Sequence, residues 1–225
     1  MLMPEFRMAI VPVTLFQQNC TVLWNTDTKR CVIVDPGGEP GRILDMLVQQ
    51  ELRAETILLT HGHLDHAGGA LALKGTIDLE YEKHGWDAVP IVGPDLRDKF
   101  LLDGIEDQAT AMGFTGLRNV TPDRWLEEGD TVDTIGLHLD VLHCPGHTPG
   151  HVVFVEKSLR FAVVGDVIFK QSVGRTDFPY GDAAALLASI KDKLLPLGDD
   201  MAFVCGHGPG STFGEERAMN PFLKD

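Results

Sequence analysis

Between Leu58 and Gly69 the chain reads LLTHGHLDHAGG, which gathers His61, His63, Asp65 and His66 into six consecutive positions. The whole sequence holds nine histidines, so a third of them sit in this one stretch. Gly62 separates the first two and lets the chain turn there, since glycine accepts backbone angles that other residues resist. Asp65 and His66 fall where a helix would begin, and Ala67, Gly68 and Gly69 leave room for close packing. Imidazole nitrogen and carboxylate oxygen form a ligand set that zinc accepts, along with iron or manganese. A polar loop of solvated histidines is the alternative.

Further candidates stand at the ends of predicted strands, each beside glycine or proline: His147 in HCPGHTPGH, Asp166 in VVGDVIF and His207 in FVCGHGPG. Asp166 is the most telling of them. The apolar run Phe161 to Val164 leads into it, so it closes what reads as a buried strand. An unpaired charge there is costly, and the carboxylate needs a strong partner. Any one of the three taken alone also reads as a hydrogen-bonded loop residue; together with the first cluster they point to a metal centre.

The elements that would position these residues alternate along the chain. Strands are expected at FRMAIVPVT, CTVLW and CVIVD, then a helix at GRILDMLVQQ with Ile43, Leu44, Leu47 and Val48 on one face. A strand TILLT leads into the histidine-rich turn, followed by a helix from about His66 to Lys74. The segment TIDLEYEKHGWDA is ambiguous, VPIVG reads as a strand, and residues 95–112 read as helical. Strands at DTVDT, LHLDVLH, HVVFVE and RFAVVGD, a helix at AAALLASIKDKLL and a strand at MAFVCG complete the pattern. Periodicity alone supports a mixed α/β class. With no repeat, linker or low-complexity segment, residues 1–225 read as one domain.

Composition narrows the function classes. At 225 residues and 44% hydrophobic content the chain suits a globular core. A net charge of −14 with no basic stripe argues against nucleic acid and against an anionic membrane surface. No apolar run approaches the roughly 20 residues of a membrane span, and the N-terminus lacks the pattern of a signal peptide. Cys20, Cys31, Cys144 and Cys205 are dispersed without a CxxC pair, so reduced thiols and a cytoplasmic location are expected. Cys144, beside the His147 loop, is expected to pack rather than to ligate. His143 and His151 flank that loop and either orient it or bond within it; His84 and His138 are expected in solvent. PEFRM, EEGD and GEER read as charged surface segments.

The HxHxDH motif with its later His, Asp and His resembles the metallo-β-lactamase superfamily. The resemblance implies a four-layered αββα sandwich and two divalent metal ions, zinc foremost with iron or manganese also accepted. It places His61, His63 and His147 on one metal and Asp65, His66 and His207 on the other, with Asp166 bridging. In such a centre a bridging water becomes a nucleophile at neutral pH, with Asp65 a ligand that also orients it. Two divalent ions, two carboxylates and one hydroxide sum formally to +1, so an anionic substrate is compatible with the acidic chain.

Within the superfamily the chain is most similar to the glyoxalase II group, especially its short bacterial hydroxyacylglutathione hydrolases. The similarity runs through FQQNC, VDPGG, THGHLDHAGG, TPDRWLEEGD, LHCPGHTPGHVVF, GDVIFKQSVGRTDFPYGD and GHGPGSTFGEERAMNPFL. It implies hydrolysis of S-D-lactoylglutathione to D-lactate and glutathione, a small-molecule partner. A thioester expels a thiolate of modest pKa and needs little help from a general acid. Longer members add a C-terminal helical region that holds the carboxylates of glutathione, and the match does not extend to one here. Arg175 lies where those members place a substrate-contacting lysine and becomes the candidate carboxylate clamp; a salt bridge to Asp177 or Asp182 is the alternative. Phe178 and Tyr180 either line the entrance or simply pack. The persulfide dioxygenases share the fold and resemble the same motifs, with one iron on the equivalents of His61, His147 and Asp166. Oligomeric state is left open.

Overall fold

A computed structural model describes residues 5–224. The N-terminal sheet runs in the order β1 (Phe6–Val13), β2 (Gln18–Asn25), β3 (Arg30–Val34), β4 (Arg53–Leu58) and β5 (Ile91–Val92), antiparallel up to β3 and parallel from there. Helix α1 (Pro40–Gln49) carries the chain from β3 to β4, as a parallel pair requires. Next come β6 (Thr131–Thr134), β7 (Leu137–His143), β8 (Val152–Glu156) and β9 (Phe161–Val163), and then a hairpin of β10 (Ile168–Phe169) and β11 (Ser172–Val173). Strands β12 (Ala202–Val204) and β13 (Ser211–Thr212) complete a second sheet in the order β13-β12-β9-β8-β7-β6.

Side-chain alternation builds the layers. In β2 and β3, Cys20, Val22, Trp24, Cys31 and Ile33 join Ile43 and Leu47 of α1 on the outer face. Leu23, Val32 and Val34 face the other way and meet Leu139, Val141, Val152 and Phe154 of the second sheet. The second sheet repeats this: Val153, Val155, Ala162 and Phe203 turn outward to Leu186, Ile190, Leu194 and Phe213 on the helices of that side. With period-2 alternation both faces of each sheet are apolar and covered. The result is the expected αββα sandwich. All four cysteines are buried and free. No helix among the described residues is long and apolar enough to cross a membrane.

Several elements differ from expectation. The helix expected from His66 to Lys74 is a short α2 (Leu64–Ala67) and a separate α3 (Ala70–His84), which absorbs most of the ambiguous segment. The break falls at Gly68 and Gly69, where a Cβ would lie 2.5 Å from the Leu64 and Pro36 carbonyl oxygens respectively. Residues 95–112 form a 3-10 turn and two helices, α4 (Lys99–Asp103) and α5 (Ile105–Met112), interrupted at Gly104. Val48 is not on the buried face of α1 but 77% exposed. GEER is not merely surface. It lies in α7 (Phe213–Met219), following α6 (Ala183–Ala188) in the helix count, and its Glu216 is buried. That carboxylate accepts hydrogen bonds from the Ser211 hydroxyl, the Gln171 amide and the Asn220 side chain.

Candidate metal centre

The seven predicted residues converge where β4, β9 and β12 end. His61 follows β4, His63 caps α2, and Asp65 and His66 occupy the first turn of that helix. His147 comes from the loop after β7, Asp166 from the loop after β9, and His207 from the loop after β12. The convergence forms two groups, His61 with His63 and His147, and Asp65 with His66 and His207. In the first, Nδ1 of His63 lies 3.1 Å from Nε2 of His61 and 3.0 Å from Nε2 of His147. In the second, Nε2 of His207 stands 3.4 Å from Oδ2 of Asp65. Asp166 sits between the groups, with Oδ1 3.4 Å from His66 Nε2 and Oδ2 3.6 Å from both His147 Nε2 and His207 Nε2.

These separations fit a cation. Ligands at about 2.1 Å from a tetrahedral ion stand about 3.4 Å from one another. His66 Nε2 and Asp166 Oδ1 are buried without a hydrogen-bond partner, and they face each other at 3.4 Å. Buried polar atoms are seldom left in that state unless something else satisfies them. Gly206 keeps the space open: a Cβ there would fall 2.1 Å from Asp166 Oδ1 and 2.4 Å from His66 Cε1.

Electrostatics point the same way at five of the seven residues. Burial, reinforced by the neighbouring imidazoles, pushes His61 well below its ordinary range and His63 down to about 3, leaving their lone pairs free. Burial also lowers His147, against the pull of Asp166. Burial by itself would raise Asp166, yet His66, His147 and His207 hold its carboxyl below the usual carboxylate range. For Asp65 likewise, the effect of His66 and His207 overcomes burial and lowers it. Neutral imidazoles and ionised carboxylates are the states in which both ligate; against the effect of burial, Asp166 and Asp65 raise His66 and His207, so at those two rings a cation must displace a proton.

A surrounding set of bonds fixes each ring. Asp35 accepts from the Thr60 amide (2.7 Å) and hydroxyl (2.6 Å) and pairs with His66 Nδ1 (2.9 Å), directing Nε2 inward. It also approaches His61 and His66 as a third candidate group, but its oxygens are engaged by these bonds. Its φ of 53° is left-handed, unusual for a non-glycine residue, and is held by the bond from its amide to Leu58 O. His61 Nδ1 pairs with Thr60 Oγ1 at 3.0 Å and His147 Nδ1 with the Arg175 carbonyl at 2.8 Å. His151 accepts the Asp166 amide at 3.0 Å and stacks on His61, so of the two flanking histidines it is the one that orients the centre. His143 bonds instead to the Pro149 carbonyl. Within FQQNC, Asn19 binds the Cys205 and Gly208 carbonyls and Phe16 O pairs with His207 Nδ1, so this motif pins the His207 loop.

Asp98 is a participant that motif reading missed. Fully buried, it accepts from the Gly62 amide (2.8 Å), the Thr148 hydroxyl (2.7 Å) and the Gly150 amide (2.6 Å), clamping the loops that carry His61, His63 and His147. No local pattern marks it; the LRD triplet looks like any helix start. Asp35 was more visible, as an acid closing the apolar run CVIV.

The centre opens into a cleft of about 470 Å3 walled by Phe16, Met112, Phe169, Phe178 and Tyr180. This volume suits a small molecule. Phe178 and Tyr180 therefore line the entrance, and they stack on each other as well. Burial pushes the Tyr180 hydroxyl up to about 12. Arg175 also lines the cleft, while its guanidinium bonds Asp177 through Nε (2.9 Å) and Nη2 (2.8 Å). Asp182 caps α6 instead, accepting from the Ala185 amide. Cys144 is buried in the core, and His84 and His138 are exposed beside Glu80 and Asp133.

Known proteins share both sequence and architecture with this one. A hydroxyacylglutathione hydrolase GloC of Haemophilus influenzae is 44% identical, over 95% of this chain and 96% of the relative. The crystal structure of the BLEG-1 B3 metallo-β-lactamase superposes with a TM-score of 0.86 at 32% identity, covering 97% of this chain and all of that one. That of TTHA1623 in a di-iron-bound form gives 0.81 at 35% identity, over 96% of this chain and all of the other. The family model of the metallo-β-lactamase superfamily matches residues 13–207, a span that begins on β1 and ends on the last of the seven converging side chains. With the layered sheets and the His/Asp cluster at their ends, this match settles descent: the chain belongs to the metallo-β-lactamase superfamily.

Proposed function

We propose that the protein is a metal-dependent thioester hydrolase of the glyoxalase II type, converting S-D-lactoylglutathione to D-lactate and glutathione. The observation that carries this reading is the 44% identity, nearly end to end, with the Haemophilus influenzae hydroxyacylglutathione hydrolase. The two-group centre around Asp166 supports it. In this reading His61, His63 and His147 hold one divalent cation, Asp65, His66 and His207 hold the other, and Asp166 joins both. Zinc suits this donor set first, and iron and manganese suit it as well. When bound, the cations lower the pKa of water and neutralise negative charge developing on a carbonyl oxygen.

The chain's own residues do the rest. Asp65, half-buried beside His207, orients the attacking oxygen towards the cleft, and Asp35 keeps the proton of His66 on Nδ1. Thr60, Asp98 and His151 hold the rings and the Asp166 backbone in register before substrate arrives, so little reorganisation accompanies the reaction. Arg175 at the cleft wall meets a substrate carboxylate by exchanging it for Asp177. The partner is a small molecule rather than nucleic acid or membrane, in keeping with a charge of −14. Four free, buried thiols support a cytoplasmic setting.

The test is turnover of S-D-lactoylglutathione by purified protein with metals counted on the same sample. About two cations per chain and hydrolysis abolished in Asp166→Ala are expected. Oxygen uptake with glutathione persulfide, one iron per chain and no thioester turnover would replace this reading with a dioxygenase; turnover of a β-lactam alone would replace it with a lactamase.

A further inference from the structure

Tyr180 touches the centre without being one of its ligands. Its phenolic oxygen lies 2.8 Å from His63 Nε2. The other nitrogen of that ring, Nδ1, is the one that meets His61 and His147. If Nδ1 offers its lone pair to a cation, Nε2 carries the proton and donates it to the phenolic oxygen. The hydroxyl hydrogen of Tyr180 cannot then point back at His63 and is left to bond elsewhere. Its ring is fixed by a parallel stack on Phe178 (5.4 Å, 9°) and an edge contact with Phe100 (5.3 Å, 71°), so the place of that donor is set in advance. Apart from the seven residues of the centre, the polar side chains lining the cleft are Gln108, Arg175 and Tyr180, and Arg175 is bonded to Asp177.

We propose that Tyr180 holds His63 in place and, with its remaining hydrogen, recognises the 2-hydroxyl of a 2-hydroxyacyl thioester. This rests on the thioesterase reading above. Near its scissile bond such a substrate carries three acceptors. The carbonyl oxygen gains charge in the reaction and belongs to the cations, and the thioester sulfur is a weak acceptor. The 2-hydroxyl oxygen remains for a neutral donor. Tyr180 is half-buried, and a substrate filling the cleft shuts its hydroxyl off from water; a donor then left without its acceptor is costly, and a site built this way discriminates against the substrate that lacks the hydroxyl.

The experiment compares lactoyl and propanoyl thioesters of glutathione in the wild type and in Tyr180→Phe, with metal in excess. The wild type should favour the lactoyl thioester by at least about tenfold in kcat/KM, and Tyr180→Phe should lose most of that preference through a raised KM for the lactoyl substrate. Chelator competition should show the cation held about tenfold more weakly in Tyr180→Phe, with circular dichroism unchanged. Equal losses on both thioesters, or a preference that survives the substitution, overturn recognition of the hydroxyl, and unaltered metal affinity overturns the hold on His63. If the wild type hydrolyses neither thioester, the proposed function has failed, and the chelator competition still decides what Tyr180 does for His63.

Discussion

Gly206→Ala would break the centre without changing a ligand. The main chain at Gly206 is bonded on both sides, its amide to Gly165 O at 2.9 Å and its carbonyl from the Asn19 amide at 2.7 Å, so it cannot drift away. Its φ lies outside the left-handed region, and alanine brings no backbone strain of its own. The added methyl would stand 2.1 Å from Asp166 Oδ1 and 2.4 Å from His66 Cε1. Ordinary non-bonded contacts are about 3.5 Å, so the carboxylate and the imidazole must each retreat by about 1 Å. A displacement of that size at a reacting centre costs roughly 100-fold in rate, and overpacking costs about 1–3 kcal/mol of stability. The variant should fold with a melting temperature lower by several degrees. It should lose about one cation per chain and retain at most about 1% of wild-type turnover. Elemental analysis and kinetics on the same preparation would read this. Gly75→Ala serves as the control: it lies in α3 with nothing within 4 Å of the added Cβ, and it should bind metal and turn over as wild type. A Gly206→Ala protein with full metal content and full rate would show that the pocket between Asp166 and His66 holds no ion.

Other perturbations test other parts of the reasoning. Burial raises Asp98 to about 6 despite its three hydrogen bonds. Its folded pKa thus exceeds its unfolded one, so its contribution to stability is complete below about pH 4 and is lost as pH rises through 6, amounting to about 3 kcal/mol. Asp98→Asn cannot titrate; the stability difference between wild type and variant in denaturant melts should shrink by that amount from pH 4 to pH 7, and a constant difference would refute it. Stripping the metals with a chelator should lower Tm by roughly 10 °C, since an ion at about 1,000 times its Kd adds about 4 kcal/mol; an unmoved Tm after verified metal loss would contradict a built site. Arg175→Ala should raise KM for a glutathione thioester several-fold with kcat little changed, and unaltered kinetics would remove Arg175 from the cleft's chemistry.

The candidate centre was legible in the sequence because metal ligands are few in type and stand at strand ends, marked by adjoining glycines and apolar runs. THGHLDH is a local motif, and Asp166 declares itself as an acid closing a buried strand. The layers were legible for a similar reason, period-2 alternation being a property of neighbours in the chain. Boundaries set by distant contacts were not. Gly68 and Gly69 divide the helix expected from His66 because Leu117 packs against the first and the turn at Pro36 against the second, and Val48 is turned to solvent by the way α1 lies on its sheet. Glu216 reads as surface charge until the Gln171 amide and Ser211 close over it.

Taken alone, then, the sequence determined which side chains were available to bind a cation, how the strands would alternate, and which chemistry the donor set permits. Tertiary structure decided which of those side chains share a point in space, because residues 61–66, 147, 166 and 207 meet only when two sheets pack and bring their loops to one end. It also selected the groups that hold the ligands in place. Asp35, Asp98 and His151 act through hydrogen bonds spanning 15 to 52 residues, and a bond of that reach leaves no periodicity or local spacing in the chain to be read.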